Sequence, residues 1–250
     1  MRQCEAELHA FSFDHLMPRQ WGDEFARIAL ELAKQPTLAG TLQAIVDQAV
    51  ATVDGAEYAA ITVKRGSDAW ATVASSGDVP NLVDKIQYTA DEGPCLTALR
   101  VGATTYSDDL GCDARWPVFG PAAVSQTGIL SMLSDPLMID ENDILGALNL
   151  YSSEPAAFTD ASVTTAVTLA AHSSVALARS AAREQNEHLT AAVKSNRTIG
   201  MAIGILMHAH KITADQAFDA LRVASQHTHR KLLLVAQEVV DTGEVQLPRH

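Results

Sequence analysis

Residues 160–209 contain no proline and only two glycines, Gly200 and Gly204, and this run restricts the fold more than any other feature of the chain. Such a run favours a continuous helix, so we predict one long helix that leaves a first domain and enters a second. The first half of the run carries small and apolar residues at alternating three- and four-residue steps, namely Val163, Val167, Ala170, Ser174, Leu177 and Ala181. This seam is typical of a parallel helix pair between two subunits, but the same face can also pack on the chain's own sheet.

The residues before this run predict an α+β domain. Apolar residues recur at helical spacing over residues 24–34 and 37–52, so two helices are expected to open the domain. Residues 58–64 and 69–74 predict a β-hairpin across a turn at residues 65–68, and residues 128–133 and 144–151 predict a second one around residues 140–143. This order indicates an antiparallel sheet with helices on one side and with loops around a small-molecule pocket on the other. Residues 1–20 show no period and are expected to form an N-terminal arm.

The end of the chain predicts three helices, over about residues 183–210, 213–226 and 228–242. In the first, one apolar face is formed by Ile199, Ala202, Ile203, Leu206 and Met207. Gly200 and Gly204 cost roughly 1 kcal/mol each relative to Ala in this helix, so we expect another helix to approach closely there.

Capping signals mark the second and third of these helices. Thr213 and Gln216 match a capping box, after which Ala217, Leu221 and Ala224 are expected to face inward. Thr228 is expected to cap the third helix and Gly243 to end it, with a buried stripe of Leu232, Val235, Ala236 and Val239.

Charge divides the chain at the same place. Residues 1–182 carry ten Lys and Arg against 23 Asp and Glu, a net charge of −13, whereas residues 183–250 carry eight against seven, a net charge of +1. Between residues 194 and 231, six basic residues oppose only two acidic ones. A basic stretch of this kind can bind a polyanion while the acidic remainder repels it elsewhere. Residues 225–231 add the free amides of a helix start to basic side chains, which is a typical phosphate site.

Several other classes of protein are disfavoured. The three cysteines, Cys4, Cys95 and Cys112, form no Cys-x-x-Cys motif and have no histidine pair at zinc spacing, so neither a disulfide framework nor a metal site is predicted. No apolar run approaches the roughly 18 residues that a membrane span needs, and the first residues lack the signal-peptide pattern. We therefore expect a cytoplasmic protein without membrane contact, and we predict no cofactor.

Three segments stand in order near the end of the chain: Arg197-Thr-Ile-Gly-Met-Ala-Ile-Gly-Ile-Leu-Met207, Ala217-Phe218-x-x-Leu221-Arg222 and Ser225-Gln-x-Thr-x-Arg-Lys-Leu232-x-x-Val-Ala236. Together they resemble the ANTAR domain, an RNA-binding module of bacterial antiterminators. Residues 21–180 carry Asp91-Glu-Gly-Pro-Cys95, Asp113-x-Arg-Trp-Pro117, Gly146-Ala-Leu-Asn-Leu-Tyr151 and Ala157-Phe-Thr159. Through these motifs the region resembles a GAF sensor domain of the kind fused to ANTAR in actinobacteria. The chain departs from the usual ANTAR pattern at Ile203, where Lys is common, and at His229 and Leu234, where Asn and Asp are common.

The resemblance implies a non-enzymatic regulator made of a GAF domain over residues 21–180 and an all-α, three-helix ANTAR domain over residues 181–250. It implies a homodimer that holds two adjacent RNA hairpin loops in a nascent transcript and so prevents the terminator hairpin from forming, with RNA polymerase affected indirectly. The RNA-binding residues expected from the resemblance and from the charge pattern are Lys194, Arg197, Arg222, Ser225, Thr228, His229, Arg230 and Lys231.

Two other hypotheses remain open. Some GAF domains reduce free methionine sulfoxide with a cysteine pair, and Cys95 and Cys112 are the only candidates for that reaction within the GAF region, although both are expected to be small core residues. Alternatively, the GAF domain senses a small molecule or a redox signal, and the C-terminal helices serve only for dimerisation or partner binding. The sequence identifies no GAF ligand.

Overall fold

The computed structural model describes residues 19–65, 69–140 and 143–244. The chain divides into two compact units, Met1–Ala182 and Arg183–His250, which are called the N-terminal and C-terminal units below. Most of the predicted N-terminal arm and the centres of both predicted hairpin turns, at residues 66–68 and 141–142, lie outside the described residues.

The N-terminal unit alternates helices and strands. Its helices are α1 (Arg19–Ala33), α2 (Leu38–Thr52), α3 (Asp78–Ala90), α4 (Pro94–Val101), α5 (Phe119–Thr127) and the first part of α6 (Asp160–His210). Its strands are β1 (Tyr58–Arg65), β2 (Ala69–Ser75), β3 (Thr105–Ser107), β4 (Ser131–Asp140) and β5 (Asp143–Ser152). The two predicted helices and both hairpins are confirmed, although β4 covers Ser131–Asp140 and not the predicted residues 128–133. Helix α2 begins after Thr37, whose hydroxyl accepts a hydrogen bond from the Gly40 amide.

The five strands form one antiparallel sheet in the order β2-β1-β5-β4-β3. Strands β1 and β5 lie side by side although they are far apart in sequence, with Ala60 opposite Asn149 and Thr62 opposite Ala147. On the other side of β5, Ser134 of β4 lies opposite the same Asn149. Side chains alternate between the two faces of a strand, so Thr62, Ser134 and Asn149 point to one face of the sheet.

Both faces of the sheet are covered by helices. One core joins α1, α2 and α6 to residues such as Ile61, Leu133 and Leu148. The second core joins α3, α4 and α5 to Met132 and Tyr151. The α+β fold is therefore confirmed, but the expectation of helices on one side only is wrong, because three short helices occupy the place where we expected loops.

Helix α6 continues for 51 residues, from Asp160 to His210, as the absence of breakers predicts. Four residues of the predicted seam, Val163, Ala170, Ser174 and Leu177, are buried within the N-terminal unit, so that face packs on the chain's own core. Val167 is 39 % exposed and Val175 is 71 % exposed on the remaining surface. Within the described ranges, α6 alone has the length and apolar composition of a membrane span, in contrast to our expectation, and half of its most apolar stretch is buried in the protein.

The C-terminal unit contains the end of α6, then α7 (Ala214–Thr228) and α8 (Leu232–Thr242). The capping box at the start of α7 is confirmed, since the Thr213 hydroxyl accepts the Gln216 amide at 3.3 Å and the Gln216 side chain accepts the Thr213 amide at 3.0 Å. The small core of the unit is formed by Ala202, Leu206, Ala217, Leu221, Ala224, Val235, Ala236 and Val239. Met207, which was expected in the apolar stripe of α6, is instead 37 % exposed.

Candidate functional site

Residues 225–231, which connect α7 to α8 and carry the predicted phosphate site, form a polar turn that is called the corner below, but the helix boundaries around it differ from those predicted. Thr228 does not cap the third helix; it is the last residue of α7, and its hydroxyl donates to the Ala224 carbonyl at 2.7 Å. Lys231 precedes α8 and makes no side-chain capping bond. His229 lies between the two helices in the left-handed conformation, with φ of 54°. Asn, Asp and His tolerate this conformation better than most residues, so His229 fits this position.

Hydrogen bonds between the two sides of the corner fix its backbone. The Ser225 hydroxyl donates to the Arg230 carbonyl at 2.6 Å, and the Arg230 amide donates to the Ser225 carbonyl at 3.2 Å. The Ser225 hydroxyl thus uses its hydrogen to stabilise the corner, and its oxygen can only accept a hydrogen bond from a ligand. The corner therefore presents Arg230 and Lys231 from a constrained backbone.

The cations in the corner and beside it on α7 differ in their partners. Arg230 forms an ion pair with Glu238 of α8 at 2.5 Å, and Arg222 forms one with Asp219 at 3.1 Å. Lys231 is exposed and has no carboxylate within salt-bridge distance in the described part of the chain. Arg230 and Arg222 keep 43 % and 54 % of their side-chain surface exposed, so both ion pairs face solvent and can exchange with an external anion at low cost.

Lys194 and Arg197 belong to a different surface. Both are exposed on α6, and Arg197 precedes the buried Leu206 by nine residues, or two and a half helical turns. Arg197 therefore projects from the side of α6 opposite the one that packs on α7 and α8. The structure places the eight predicted residues in two groups, with Lys194 and Arg197 on α6 and the other six at the end of α7 and in the corner.

The Asp91-to-Cys95 motif of the N-terminal unit has structural roles. Glu92 accepts the amides of Val118 and Phe119 at the start of α5, at 2.9 and 3.1 Å. Gly93 has φ of 125°, and a Cβ there would lie 2.2 Å from the side-chain oxygen of Gln87. That oxygen accepts the Cys95 amide at 3.0 Å. The motif thus connects α3, α4 and α5 around a buried polar interior.

A buried carboxylate, Asp84, lies at the centre of that interior, and no local pattern in the sequence marks it. Its oxygens accept the hydroxyls of Tyr151 at 2.5 Å, Thr72 at 2.6 Å and Thr62 at 3.4 Å. Burial raises the pKa of Asp84 to about 6, although these hydroxyls favour the ionised form. On the adjacent strands, the side-chain oxygens of Asn149 and Ser134 are buried without a hydrogen-bond partner.

A second buried carboxylate lies on the opposite face of the sheet. Asp135 is 3 % exposed, its Oδ1 accepts the Thr104 hydroxyl at 2.5 Å, and its Oδ2 has no partner. Burial raises the pKa of Asp135 to about 6.

The two cysteines of the N-terminal unit that the structure describes do not form a redox pair. Cys95 is free and fully buried, and burial raises the pKa of its thiol to about 12, so it lacks the thiolate that a nucleophile needs. Cys112 is exposed and disulfide-bonded. The expectation of a small core residue is thus right for Cys95 and wrong for Cys112. No cluster of three metal-ligating side chains occurs in the described ranges.

Two further residues of the C-terminal unit are functional candidates that charge and capping patterns do not mark. Phe218 belongs to one of the ANTAR-like segments, and it is 41 % exposed on α7. Glu238 gave no signal because it lies eight residues from Arg230, and only the packing of α8 beside the corner brings the two together.

Comparisons with known proteins agree with this architecture. The GAF domain family matches residues 35–178, and the ANTAR domain matches residues 187–240. No curated protein matches the sequence significantly. The ANTAR domain is an RNA-binding antiterminator domain and the GAF domain is a sensing domain, so both are regulatory domains.

Solved structures share the fold of the N-terminal unit at low sequence identity. The GAF domain of an Acinetobacter phosphoenolpyruvate-protein phosphotransferase is 19 % identical with a TM-score of 0.52, over 68 % of this chain and 99 % of that one. Free methionine-R-sulfoxide reductase of Neisseria meningitidis is 14 % identical with a TM-score of 0.51, over 70 % of this chain and 99 % of that one. At these identities the likeness shows the fold alone. The chain belongs to the GAF domain family and carries an ANTAR domain in its C-terminal unit.

Proposed function

We propose that this protein is a transcription antiterminator that binds, as a homodimer, two adjacent RNA hairpin loops and thereby prevents terminator formation. The polar corner of residues 225–231 supports the proposal most directly. It combines a fixed backbone, the exposed Lys231 and the exchangeable Arg230 within the RNA-binding domain. Phosphates and unpaired bases of an RNA loop are recognised by such constrained cationic surfaces.

The two separate groups of candidate residues suit an RNA with two contact regions. Lys194 and Arg197 contact one region from α6, whereas Arg222, Ser225, Thr228, His229, Arg230 and Lys231 contact the other. The bound RNA fold then gains stability over the competing terminator, which is a population shift and requires only stronger binding to one fold than to the other.

Dimerisation through α6 is part of the proposal. The N-terminal unit exposes Val167 and Val175 on this helix, and the C-terminal unit exposes Leu189 at 59 % and Val193 at 70 %. Exposed apolar side chains along a long helix are a typical contact for a second copy. In this scheme the GAF domain supplies the signal or stabilises the dimer.

The proposal is tested by measuring binding to a two-hairpin RNA at several salt concentrations, with single-hairpin RNA and duplex DNA as competitors. A protein with Arg197→Ala and Arg230→Ala should lose binding, and its slope of log affinity against log salt should fall by about one for each phosphate contact removed. The matched control is a protein with Arg27→Ala and Arg100→Ala, two arginines of the N-terminal unit that are 51 % exposed and ion-paired. Both double variants lose two positive charges. Equal affinities of the two variants would refute the assignment of these residues.

A second measurement separates RNA binding from dimerisation. A protein with Leu189→Asp and Val193→Asp should become monomeric by light scattering and lose its preference for two hairpins over one. If no RNA binds the wild type while the dimer persists, the C-terminal helices serve dimerisation or partner binding instead.

A further inference from the structure

The sequence of the C-terminal unit contains one Phe and no Tyr or Trp, and this residue, Phe218, is exposed. It keeps 41 % of its surface accessible. By contrast, the large rings of Phe25, Phe119, Trp116 and Tyr151 in the N-terminal unit are at most 7 % exposed. An aromatic ring excluded from its own core remains available for a ligand that can stack on it.

The position of Phe218 on α7 associates it with the candidate RNA-binding residues. Phe218, Arg222 and Ser225 stand at positions i, i+4 and i+7, so they share one face of the helix. That face leads directly to the corner, because the Ser225 hydroxyl bonds the Arg230 carbonyl. The guanidinium of Arg222 pairs with Asp219 at 3.1 Å, and both side chains are more than half exposed, so this pair leaves the guanidinium available to RNA.

We propose that Phe218 stacks on an unpaired base of the RNA loop bound at the corner, with Arg222 beside it as the phosphate or base-edge contact. This inference rests on the proposed RNA-binding function and assigns a base-binding role to a residue outside the charged set. RNA loops present unstacked bases that aromatic rings and guanidinium groups recognise together. Stacking accepts any base, so Phe218 contributes affinity, and the polar groups of the corner contribute selectivity.

The same helix supplies a matched control. Val223 is also 41 % exposed, but it follows Phe218 by five residues and therefore lies about 140° away around the helix axis. Val223→Ala removes exposed apolar surface from α7 without touching the face of Phe218, Arg222 and Ser225.

The experiment uses the full-length protein and a pool of two-hairpin RNAs with randomised loops, from which the tightest ligand of the wild type is selected. Phe218→Ala should weaken binding of this RNA by about 5- to 150-fold, the typical loss when one stacked base loses its aromatic partner. Phe218→Tyr keeps the ring and should bind almost as well as the wild type. Phe218→Leu keeps an apolar side chain, so the protein should fold normally. Because Leu cannot stack on a base, this variant should show most of the loss in RNA affinity. Val223→Ala should bind like the wild type.

A fluorescent base in the RNA reports stacking directly, because its fluorescence would not change if Phe218 had only a structural role. When 2-aminopurine replaces each loop base in turn, one position should change its fluorescence on binding to the wild type and to Phe218→Tyr, but not on binding to Phe218→Leu. If no RNA is selected, the proposed function fails and the stacking inference fails with it. If RNA is selected and Phe218→Leu binds as tightly as Val223→Ala, the stacking inference alone is overturned.

Discussion

Replacing Asp84 by Asn should stabilise the N-terminal unit at neutral pH and remove part of its pH dependence. Asp84 is fully buried, and the groups that bond it are the neutral hydroxyls of Tyr151, Thr72 and Thr62 and the Gln87 amide. A buried carboxylate held only by neutral donors loses hydration that no cation compensates. The raised pKa of about 6 shows that this loss outweighs the four hydrogen bonds.

The direction of the expected change in stability follows from proton linkage. The pKa of Asp84 is about 6 in the folded protein and 3.8 for the unperturbed carboxyl, so the folded state binds the proton more tightly. The stability that the protonated carboxyl provides is complete below pH 4 and is lost as the pH rises to about 6. A difference of about two pKa units corresponds to about 3 kcal/mol in the free energy of unfolding.

Asn imitates the protonated carboxyl, and its amide can donate to hydroxyls that accept as well as donate. Asp84→Asn should therefore match the wild type near pH 4 and exceed it by up to about 3 kcal/mol at pH 8. For a unit of this size the melting temperature should rise by about 6–12 °C. Urea unfolding followed by tryptophan fluorescence measures this unit selectively, because Trp21, Trp70 and Trp116 all belong to it.

Asp113 offers a control at which Asp→Asn should lower stability and not raise it. Burial alone would raise the pKa of Asp113, but hydrogen bonds from Arg115 and Ser107 outweigh burial and hold the pKa below its ordinary value. Asp113→Asn should therefore lower stability at pH 7, and the difference should vanish as the pH falls through the folded pKa. If Asp84→Asn were less stable than the wild type by the same amount at every pH, its hydrogen bonds and not its buried charge would dominate, and the reasoning would be refuted.

Two further substitutions test the C-terminal unit. Glu238→Gln should free Arg230 from its ion pair and so raise RNA affinity a few-fold and steepen its salt dependence, which fluorescence anisotropy can measure. The free energy of unfolding should change by less than about 1 kcal/mol in thermal melting. Unchanged affinity would show that Glu238 does not compete with RNA. Thr213→Ala should remove the capping box of α7 and lower the unfolding free energy of the C-terminal helices by about 1 kcal/mol, seen by circular dichroism, and an unchanged melting curve would contradict the role of the cap.

The elements predicted correctly are those whose signals are local. The apolar period and the capping box were enough to identify α7, and the absence of breakers was enough to identify α6. Strand alternation likewise identified β1, β2 and β5. In each case the residues that determine the element lie within it, so no knowledge of the tertiary structure is needed.

The features that the sequence did not reveal depend on distant contacts. The Asp84 network combines Thr62 of β1, Thr72 of β2 and Tyr151 of β5 around a residue of α3, and only the strand order β2-β1-β5 brings them together. Helices α3, α4 and α5 pack on the face of the sheet opposite α1, α2 and α6, and the order of elements along the chain does not determine which face a helix covers. At the corner, Thr228 could either cap α8 or end α7, and the left-handed conformation of His229 makes Thr228 the last residue of α7, two residues beyond the predicted end at residue 226.

Gly200 and Gly204 show how the structure changes the meaning of a sequence signal. Their cost in a helix suggested close approach of another helix, but a Cβ at either position would meet nothing within 4 Å, so no segment of the described chain approaches them. Gly200→Ala and Gly204→Ala should therefore each stabilise the free protein by about 1 kcal/mol. If RNA or a second copy of α6 contacts the bare backbone there, the same variants should bind it more weakly although they are more stable. Asn196→Ala, at an exposed position of α6, improves helix propensity without covering a glycine and should leave binding unchanged. Thermal melting and two-hairpin RNA binding of the three variants separate the cases: a gain in stability with unchanged binding would mean that the glycines have no role in either contact, and a loss of stability would contradict the open space around them.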